Sequence, residues 1–165
     1  MNNSNLKFNN MYRGKVLNNS DPEKLGRIRS EIYPMLIGKT TAKNLDGVDG
    51  VETAQIPWAV PAMPLSSGAG DACGSFAVPS VGSFVFIFFE EGDINQPVYF
   101  AEAQTKQYGL PASRLPNYPN RKVVETSSGV KIIIDDSTGH VIITGAGDVV
   151  VQGTNVRLNP TSPWE

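Results

Sequence analysis

The stretch that decides the fold is residues 84–101, FVFIFFEEGDINQPVYFA. Its six consecutive apolar residues match the length of a β-strand, and a strand that is apolar on both sides is expected at the buried centre of a sheet. Gly92 and Asp93 then predict a turn, because glycine adopts a positive φ easily and an aspartate side chain hydrogen-bonds turn backbone. Pro97 begins a returning strand. The stretch therefore predicts a β-hairpin in an all-β protein.

The rest of the first hundred residues supports this class. The chain has 165 residues with 16 glycines and 12 prolines, and its apolar residues come in short runs rather than at helical spacing. Five strands within about 100 residues suit a small closed barrel of the OB type. We expect this barrel in residues 1–102, followed by a polar, proline-rich linker at 103–122. The three strands expected before the hairpin are residues 11–17, 25–33 and 56–60.

The region 123–165 has a different pattern, a degenerate repeat of very short apolar strands separated by glycine or asparagine turns. Strands this short gain too little from pairing to be stable alone. Apolar residues at consecutive positions mean that both faces need a cover. Two arrangements remain open: a second small sheet packed on the barrel, or three identical chains wrapped around one axis. The expected strands are 123–126, 130–135, 141–143, 149–151 and 156–158.

Composition restricts the function classes. Lys and Arg total 14 against 16 Asp and Glu, without the basic excess of a nucleic-acid binder. No Lys or Arg lies between Trp58 and Phe100, so the aromatic residues there are expected in the core rather than stacked on bases. The single cysteine, Cys73, cannot form an intrachain disulfide and is expected to be a small, partly buried residue. There is no apolar run of about 18 residues and no signal peptide, so synthesis in the cytoplasm is expected.

Candidate catalytic groups are few. The carboxylates cluster at Asp46–Asp49, Glu90–Asp93 and Asp135–Asp136, on predicted turns where solvent keeps them ionised, whereas a glycosidase needs one raised pKa across a cleft. The first cluster also lacks the ligand alternation of a calcium loop. His140 is the only histidine and is expected in a turn. No catalytic residue, cofactor or metal is expected, and Trp164 is either a docking anchor or disordered.

The segment from Gly26 to Glu102 resembles the OB-fold module of phage tail-spike and baseplate-hub proteins, and of the valine–glycine-repeat spikes of type VI secretion. Four blocks of sequence carry the resemblance, and the first of them begins one residue before the segment. They are LGRIR at 25–29, IPWA at 56–59, GSFAVPSVG at 74–82 and VFIFFEEGDINQPVY at 85–99. The residues matching this barrel motif are Gly26, Arg27, Trp58, Gly82, Gly92, Asp93 and Pro97.

The tail from Ser127 resembles the start of the triple-stranded β-helix that follows this module in those spikes, which favours the intertwined trimer over the second sheet. The linker of about 20 residues is too short for the inserted lysozyme-like domain of some relatives. The fold class expected is thus a small OB-type β-barrel followed by a short intertwined triple-stranded β-helix. The stalk core expected is Val130, Ile132, Ile134, Val141, Ile143, Val149, Val151, Val156 and Leu158.

The resemblance implies a structural, non-enzymatic central spike of a phage tail baseplate or related contractile injection system, located in the virion. Its implied partners are two further copies of the chain, a baseplate hub protein, a separate tip protein as an optional addition, and the target cell envelope on firing. The alternative function is that of an OB-fold module that binds an oligosaccharide or a single-stranded nucleic acid.

Overall fold

A computed structural model describes residues 8–43, 45, 47–64, 74–105, 110–154 and 156. The chain divides into two compact units, residues 1–108 and 109–165. The described part of the first unit contains one short α-helix, α1 (Lys39–Ala42), two 3₁₀ turns at Thr53–Gln55 and Glu90–Gly92, and a five-stranded sheet in the order β2-β1-β4-β5-β3. The strands are β1 (Tyr12–Asn18), β2 (Arg29–Ile32), β3 (Val60–Pro61), β4 (Phe84–Phe89) and β5 (Pro97–Glu102).

The strand β4 is central in this sheet, as predicted, and pairs antiparallel with β1 and β5. Its side chains alternate: Val85, Ile87 and Phe89 are buried, while the other three residues of the strand, all phenylalanines, are only half-buried on the opposite face. The expectation that β4 is buried on both faces is therefore wrong. A strand exposes alternate side chains to opposite sides of the sheet, and only one side of β4 faces the barrel core.

The sheet curls so that its two edges meet. Ile28, just before β2, and Ala59, just before β3, form an antiparallel bridge with N–H to O distances of 3.0 and 2.7 Å. Because β2 and β3 are the outer strands of the sheet, this bridge links the edges that would otherwise remain unpaired. The core enclosed in this way consists of Val16, Ile28, Ile32, Ala59, Val85, Ile87, Phe89 and Tyr99.

The turn between β4 and β5 has the chemistry expected from its sequence. Glu91 and Gly92 both have positive φ, 52° and 76°. The Oδ1 of Asp93 accepts the backbone N–H of Asn95 at 2.9 Å, and hydrogen bonds from that amide lower the pKa of Asp93. A carboxylate that caps a turn in this way fixes the direction of the returning strand.

Two of the expected strands are shorter than predicted. The strand expected at 25–33 begins only at Arg29, because residues 21–27 form a loop around the side chain of Asp21. The strand expected at 56–60 is reduced to Val60–Pro61, since prolines cannot donate to a sheet. The part of the chain that the structure describes contains no helix long and apolar enough to cross a membrane.

The second unit is a three-stranded antiparallel meander in the order β6-β7-β8, preceded by a single 3₁₀ turn at Ala112–Arg114. The strands are β6 (Arg121–Glu125), β7 (Lys131–Asp135) and β8 (His140–Thr144). Residues 149–151 are described but form no strand, and none of the described residues of this unit pairs with them. Val156 is likewise outside any strand, and Leu158 lies outside the described residues.

Candidate interaction surfaces

The loop before β2 is organised by a buried carboxylate. The side chain of Asp21 is 3 % exposed; its Oδ2 accepts the backbone N–H of Leu25 at 2.8 Å, and its Oδ1 accepts Nη2 of Arg27 at 2.7 Å. The Arg27 guanidinium and the backbone amides hold the pKa of Asp21 well below its usual range. The sequence identified Asp21 only as a turn residue, and nothing local distinguishes it from a solvated one.

This loop presents the motif residue Gly26 to the barrel. Gly26 has a φ of 78°, its carbonyl accepts the hydroxyl of Tyr99 at 2.6 Å, and an added Cβ would lie 2.8 Å from a ring carbon of Phe76. Both the backbone conformation and the close approach therefore require glycine. Burial raises the pKa of the Tyr99 phenol, so the hydroxyl remains a donor.

The motif residues Arg27 and Trp58 come together across the closing bridge, with Arg29. Ile28 points into the core, so Arg27 and Arg29 on either side of it point outwards. The guanidinium carbon of Arg29 lies 4.6 Å from the centre of the Trp58 ring, and that of Arg27 lies 5.7 Å from it. We name Arg29 and Trp58 the Arg29–Trp58 shelf.

The other motif residues stand at turns and strand ends. Gly82 has a φ of 92° and donates its N–H to the carbonyl of Val16 at 2.8 Å. Gly92 and Asp93 form the turn after β4, and Pro97 is the buried first residue of β5. These positions are explained by backbone geometry, without any chemical role.

A basic and aromatic patch covers the outer face of β1, β4 and β5. Arg13 lies opposite Phe86 in the β1–β4 register, with its guanidinium carbon 5.6 Å from the ring centre. The ring of Phe100, which is 40 % exposed, lies 6.1 Å from the rings of both Phe86 and Phe88. The expectation that these aromatic residues belong to the core is wrong for Phe86, Phe88 and Phe100. The basic residue comes from another strand, which a search within residues 58–100 cannot find.

The first unit also contains an open, mostly apolar groove of about 390 Å³. It lies beside β5 and β3, and its walls are residues 61–64, 75–80 and 99–102. Among the described residues that line the groove, Glu102 is the only ionisable side chain besides Tyr99, so these residues supply no paired acid and base.

One face of the second unit's sheet is open and apolar. Its side chains are between 42 and 67 % exposed, and they form cross-strand rows in the observed register. Four of the residues expected in the stalk core lie on this face, and Val124 joins them although the sequence did not single it out. We name as the open face Val124, Ile132, Ile134, Val141 and Ile143. The other described members of the expected core, Val130, Val149, Val151 and Val156, are exposed outside the strands.

The opposite face of the same sheet is covered by residues 110–118. Ser113 accepts Nη1 of Arg121 at its carbonyl and Nζ of Lys131 at its hydroxyl, at 3.2 and 3.0 Å. Beneath this segment Ile133 is buried, and Lys131 forms an ion pair with Glu125 at 3.1 Å. The hydrogen bond from Lys131 lowers the pKa of Glu125.

The carboxylates considered in the sequence differ in their surroundings. Glu90 and Glu91 are exposed, but Asp135 is buried and ionised through its hydrogen-bond donors, not through solvent as expected. His140 is the first residue of β8 rather than part of a turn. Among the described residues no three Asp, Glu, His or Cys side chains form a group that could hold a metal ion. Asp46, Cys73 and Trp164 lie outside the described residues.

Residues 44–102 match the family of the Type VI secretion system/phage-baseplate injector OB domain. The match includes β3, β4 and β5 with Trp58, Gly82, Gly92, Asp93 and Pro97, while Gly26 and Arg27 precede it. It confirms the OB-type barrel in an all-β chain and supports a baseplate-related structural role. No curated protein matches the chain.

Proposed function

We propose that this chain, which carries an injector OB domain over residues 44–102, is the central spike of a phage tail baseplate or a related contractile injection system. It acts as a homotrimer with a short β-helical stalk and performs no catalysis. The observation that carries the proposal is the open face of the second unit, an apolar sheet surface without a cover in the described chain.

The physical argument starts from the asymmetry of that sheet. Residues 110–118 cover one side, and five exposed aliphatic side chains occupy the other. Fully burying such a side chain contributes about 1.5–3 kcal/mol, so covering half-exposed ones contributes on the order of 1 kcal/mol each. Large exposed apolar patches in soluble proteins mark interaction sites.

Identical copies are the simplest cover. Around a threefold axis each chain turns its open face inwards, where it packs against the open faces of the other two chains. All three faces are then buried together. Residues 149–151 are three consecutive valines that are exposed and pair with none of the described residues. In the trimer they supply further strands that pair with a neighbouring copy. This arrangement extends the sheet into the intertwined stalk expected from the sequence.

A mechanical role agrees with the surroundings of the carboxylates. Two buried carboxylates, Asp21 and Asp135, are engaged by donors and have lowered pKa values, which is the opposite of what a general acid needs. A third, Glu31, is fully buried in the barrel unit, where its two oxygens accept the hydroxyl of Tyr33 and the backbone N–H of Gly38. We place the spike on the axis of the baseplate, bound to a hub protein and directed at the target cell envelope, with a separate tip protein as an optional partner.

The test is the mass of the full chain in solution at micromolar concentration, measured by sedimentation equilibrium. Three chains of 17.8 kDa give a particle of about 53 kDa. A monomeric mass under these conditions would contradict the proposal.

A second candidate function has one specific observation in its favour, the basic and aromatic patch at Arg13, Phe86 and Phe100. Aromatic rings beside an arginine are the elements with which OB barrels stack the bases of single strands. Salt-dependent binding of an oligothymidylate that is lost in Phe100→Ala would favour this function. Absence of binding at low salt would exclude it.

A further inference from the structure

We propose that the Arg29–Trp58 shelf is the point at which the barrel unit binds a carboxylate side chain of a neighbouring protein in its assembly. The inference rests on the proposed function in one respect, namely that the chain works inside a multi-protein machine. It concerns residues that the trimer argument does not use.

The first observation is an unpaired charge. Arg27 and Arg29 flank the same indole, but the guanidinium of Arg27 contacts the carboxylates of Asp21 and Glu23, each at 2.7 Å. The guanidinium of Arg29 donates only to the backbone carbonyl of Thr53, from Nη1 at 3.0 Å. Within the described part of the chain no carboxylate pairs with it. One charge of the two is therefore left for another molecule.

The second observation is an unsatisfied donor. The Nε of Arg29 is buried and has no acceptor, and it is the one such side-chain atom among the described residues. Among the described residues the Nη2 atom also has no acceptor, and it does not share the burial of Nε. Nε and Nη2 lie on the same edge of a guanidinium. A carboxylate that binds Nη2 therefore approaches the edge that also carries Nε. A small movement of the atoms that bury Nε then gives this nitrogen the acceptor that it lacks.

The third observation is that the arginine is held in place. Its guanidinium stacks on Trp58 and is tied to Thr53, so less conformational entropy is lost on binding than for a free side chain. This distinguishes Arg29 from exposed lysines on flexible stems. Tryptophan and arginine are also the residue types that dominate the binding energy of protein interfaces.

The surroundings favour a single carboxylate over a polyanion. Asp21 and Glu23 lie beside the shelf on Arg27, and Glu52 precedes Thr53 with an exposed side chain that pairs with Lys39. A chain of phosphates laid over the shelf would meet these negative charges. A single Glu or Asp side chain of a protein partner binds the planar guanidinium in the bidentate geometry that suits a carboxylate. It can do so without coming close to these three negative charges.

The experiment is an NMR titration of the full chain with acetyl-Gly-Gly-Glu-Gly-Gly-amide, in which the glutamate is the single charge, observed at the indole N–H of Trp58. The same peptide with glutamine in place of glutamate is the neutral probe of equal length. We expect a saturable shift with the glutamate peptide and none with the glutamine peptide. Arg29→Gln is expected to weaken the binding by about tenfold or more, because a charge-assisted hydrogen bond is lost.

Two further variants control this result. Arg13→Gln removes another arginine that stacks on an aromatic ring of the same barrel, and it should leave the affinity unchanged. Arg29→Lys keeps the charge but removes the fork, so it should bind more weakly than the wild type while retaining the wild-type spectrum elsewhere.

Several outcomes would overturn the shelf as a carboxylate site: no saturable shift with the glutamate peptide, an equal shift with the glutamine peptide, or an equal loss in Arg13→Gln and Arg29→Gln. Tighter, Arg29-dependent binding of a hexathymidylate would assign the shelf to nucleic acid instead. The titration does not depend on the oligomeric state. A monomeric mass would therefore refute only the proposed trimeric spike. A trimer that does not bind the peptide would refute only the proposed carboxylate site at the Arg29–Trp58 shelf.

Discussion

The Nε of Arg121 lies 2.7 Å from Oδ2 of Asp135, across the β6–β7 pair. The same oxygen accepts Nδ2 of Asn117 at 2.8 Å, and the second carboxylate oxygen accepts the hydroxyl of Ser137 at 2.6 Å. The side chain of Asp135 is 2 % exposed. One buried carboxylate thus joins the turn before β6, β6 itself and the β7–β8 turn.

Replacing Asp135 by asparagine should lower the melting temperature of the second unit by several degrees. An amide has one acceptor where the carboxylate has two, so at least one buried donor around it loses its partner. The measurement is thermal unfolding followed by circular dichroism. Asp136→Asn is the matched control, because the Asp136 side chain is exposed and pairs only with the exposed Lys122. Equal melting temperatures of the two variants would contradict the role given to Asp135.

Acid should destabilise the protein through Asp21 and Asp135. Both have folded-state pKa values below the ordinary value, chiefly through hydrogen bonds from Arg27 to Asp21 and from Ser137 and Arg121 to Asp135. Below about pH 4 the two aspartates bind protons in the unfolded state while they stay ionised in the folded state. The stability that they contribute above that pH is therefore lost as the pH falls. Melting temperatures recorded between neutral pH and the acid limit should therefore fall below about pH 4. Asp135→Asn should show a shallower decline, and a parallel decline would argue against this assignment.

Placing a charge on the open face should separate the copies. Ile132 and Ile143 are cross-strand partners there, and Ile132→Glu with Ile143→Glu would bury two carboxylates in the proposed trimer, which costs several kcal/mol per charge. We expect a folded monomer by sedimentation. Thr144→Glu, on the other side of the sheet, should remain a trimer. A trimer in both variants would show that the open face is not the contact.

Gly14→Ala should weaken the barrel. An added Cβ at Gly14 would lie 2.6 Å from both the carbonyl oxygen of Glu31 and the hydroxyl of Ser30, and 2.9 Å from Ile87. Because two of these neighbours belong to the paired strand β2, relief requires moving backbone, and overpacking of this kind costs about 1–3 kcal/mol. Chemical denaturation measures the change. Gly147→Ala, with open space around its Cβ position, should be neutral.

Local sequence was sufficient to predict features that depend on the pattern of residues within a single strand or hairpin. The apolar run and turn at 84–97 predicted β4, β5 and the hairpin between them. Ile132 and Ile134, and likewise Val141 and Ile143, which the sequence had selected for a stalk core, lie on one face of the meander. These features depend on the alternation of side chains along a strand, which a sequence displays directly.

Features that depend on register or burial could not be predicted in this way. Arg13 meets Phe86 only because β1 and β4 pair in one particular register, which residues far apart in sequence do not reveal. Asp21 and Asp135 stand beside turns and look like solvated residues, yet their donors come from as far as 18 positions away, in the case of Asn117 and Asp135. Burial on one side of β4 alone follows from the curl of the sheet and not from its composition.

The cover that residues 110–118 place on one side of the meander also limits how far association can proceed. A sheet that is apolar on both sides can add copies face to face without end, in the manner of a growing fibre. In the proposed trimer only the open face takes a neighbour, so face-to-face growth would stop once the open faces have met, and the assembly would close at a small fixed number of chains.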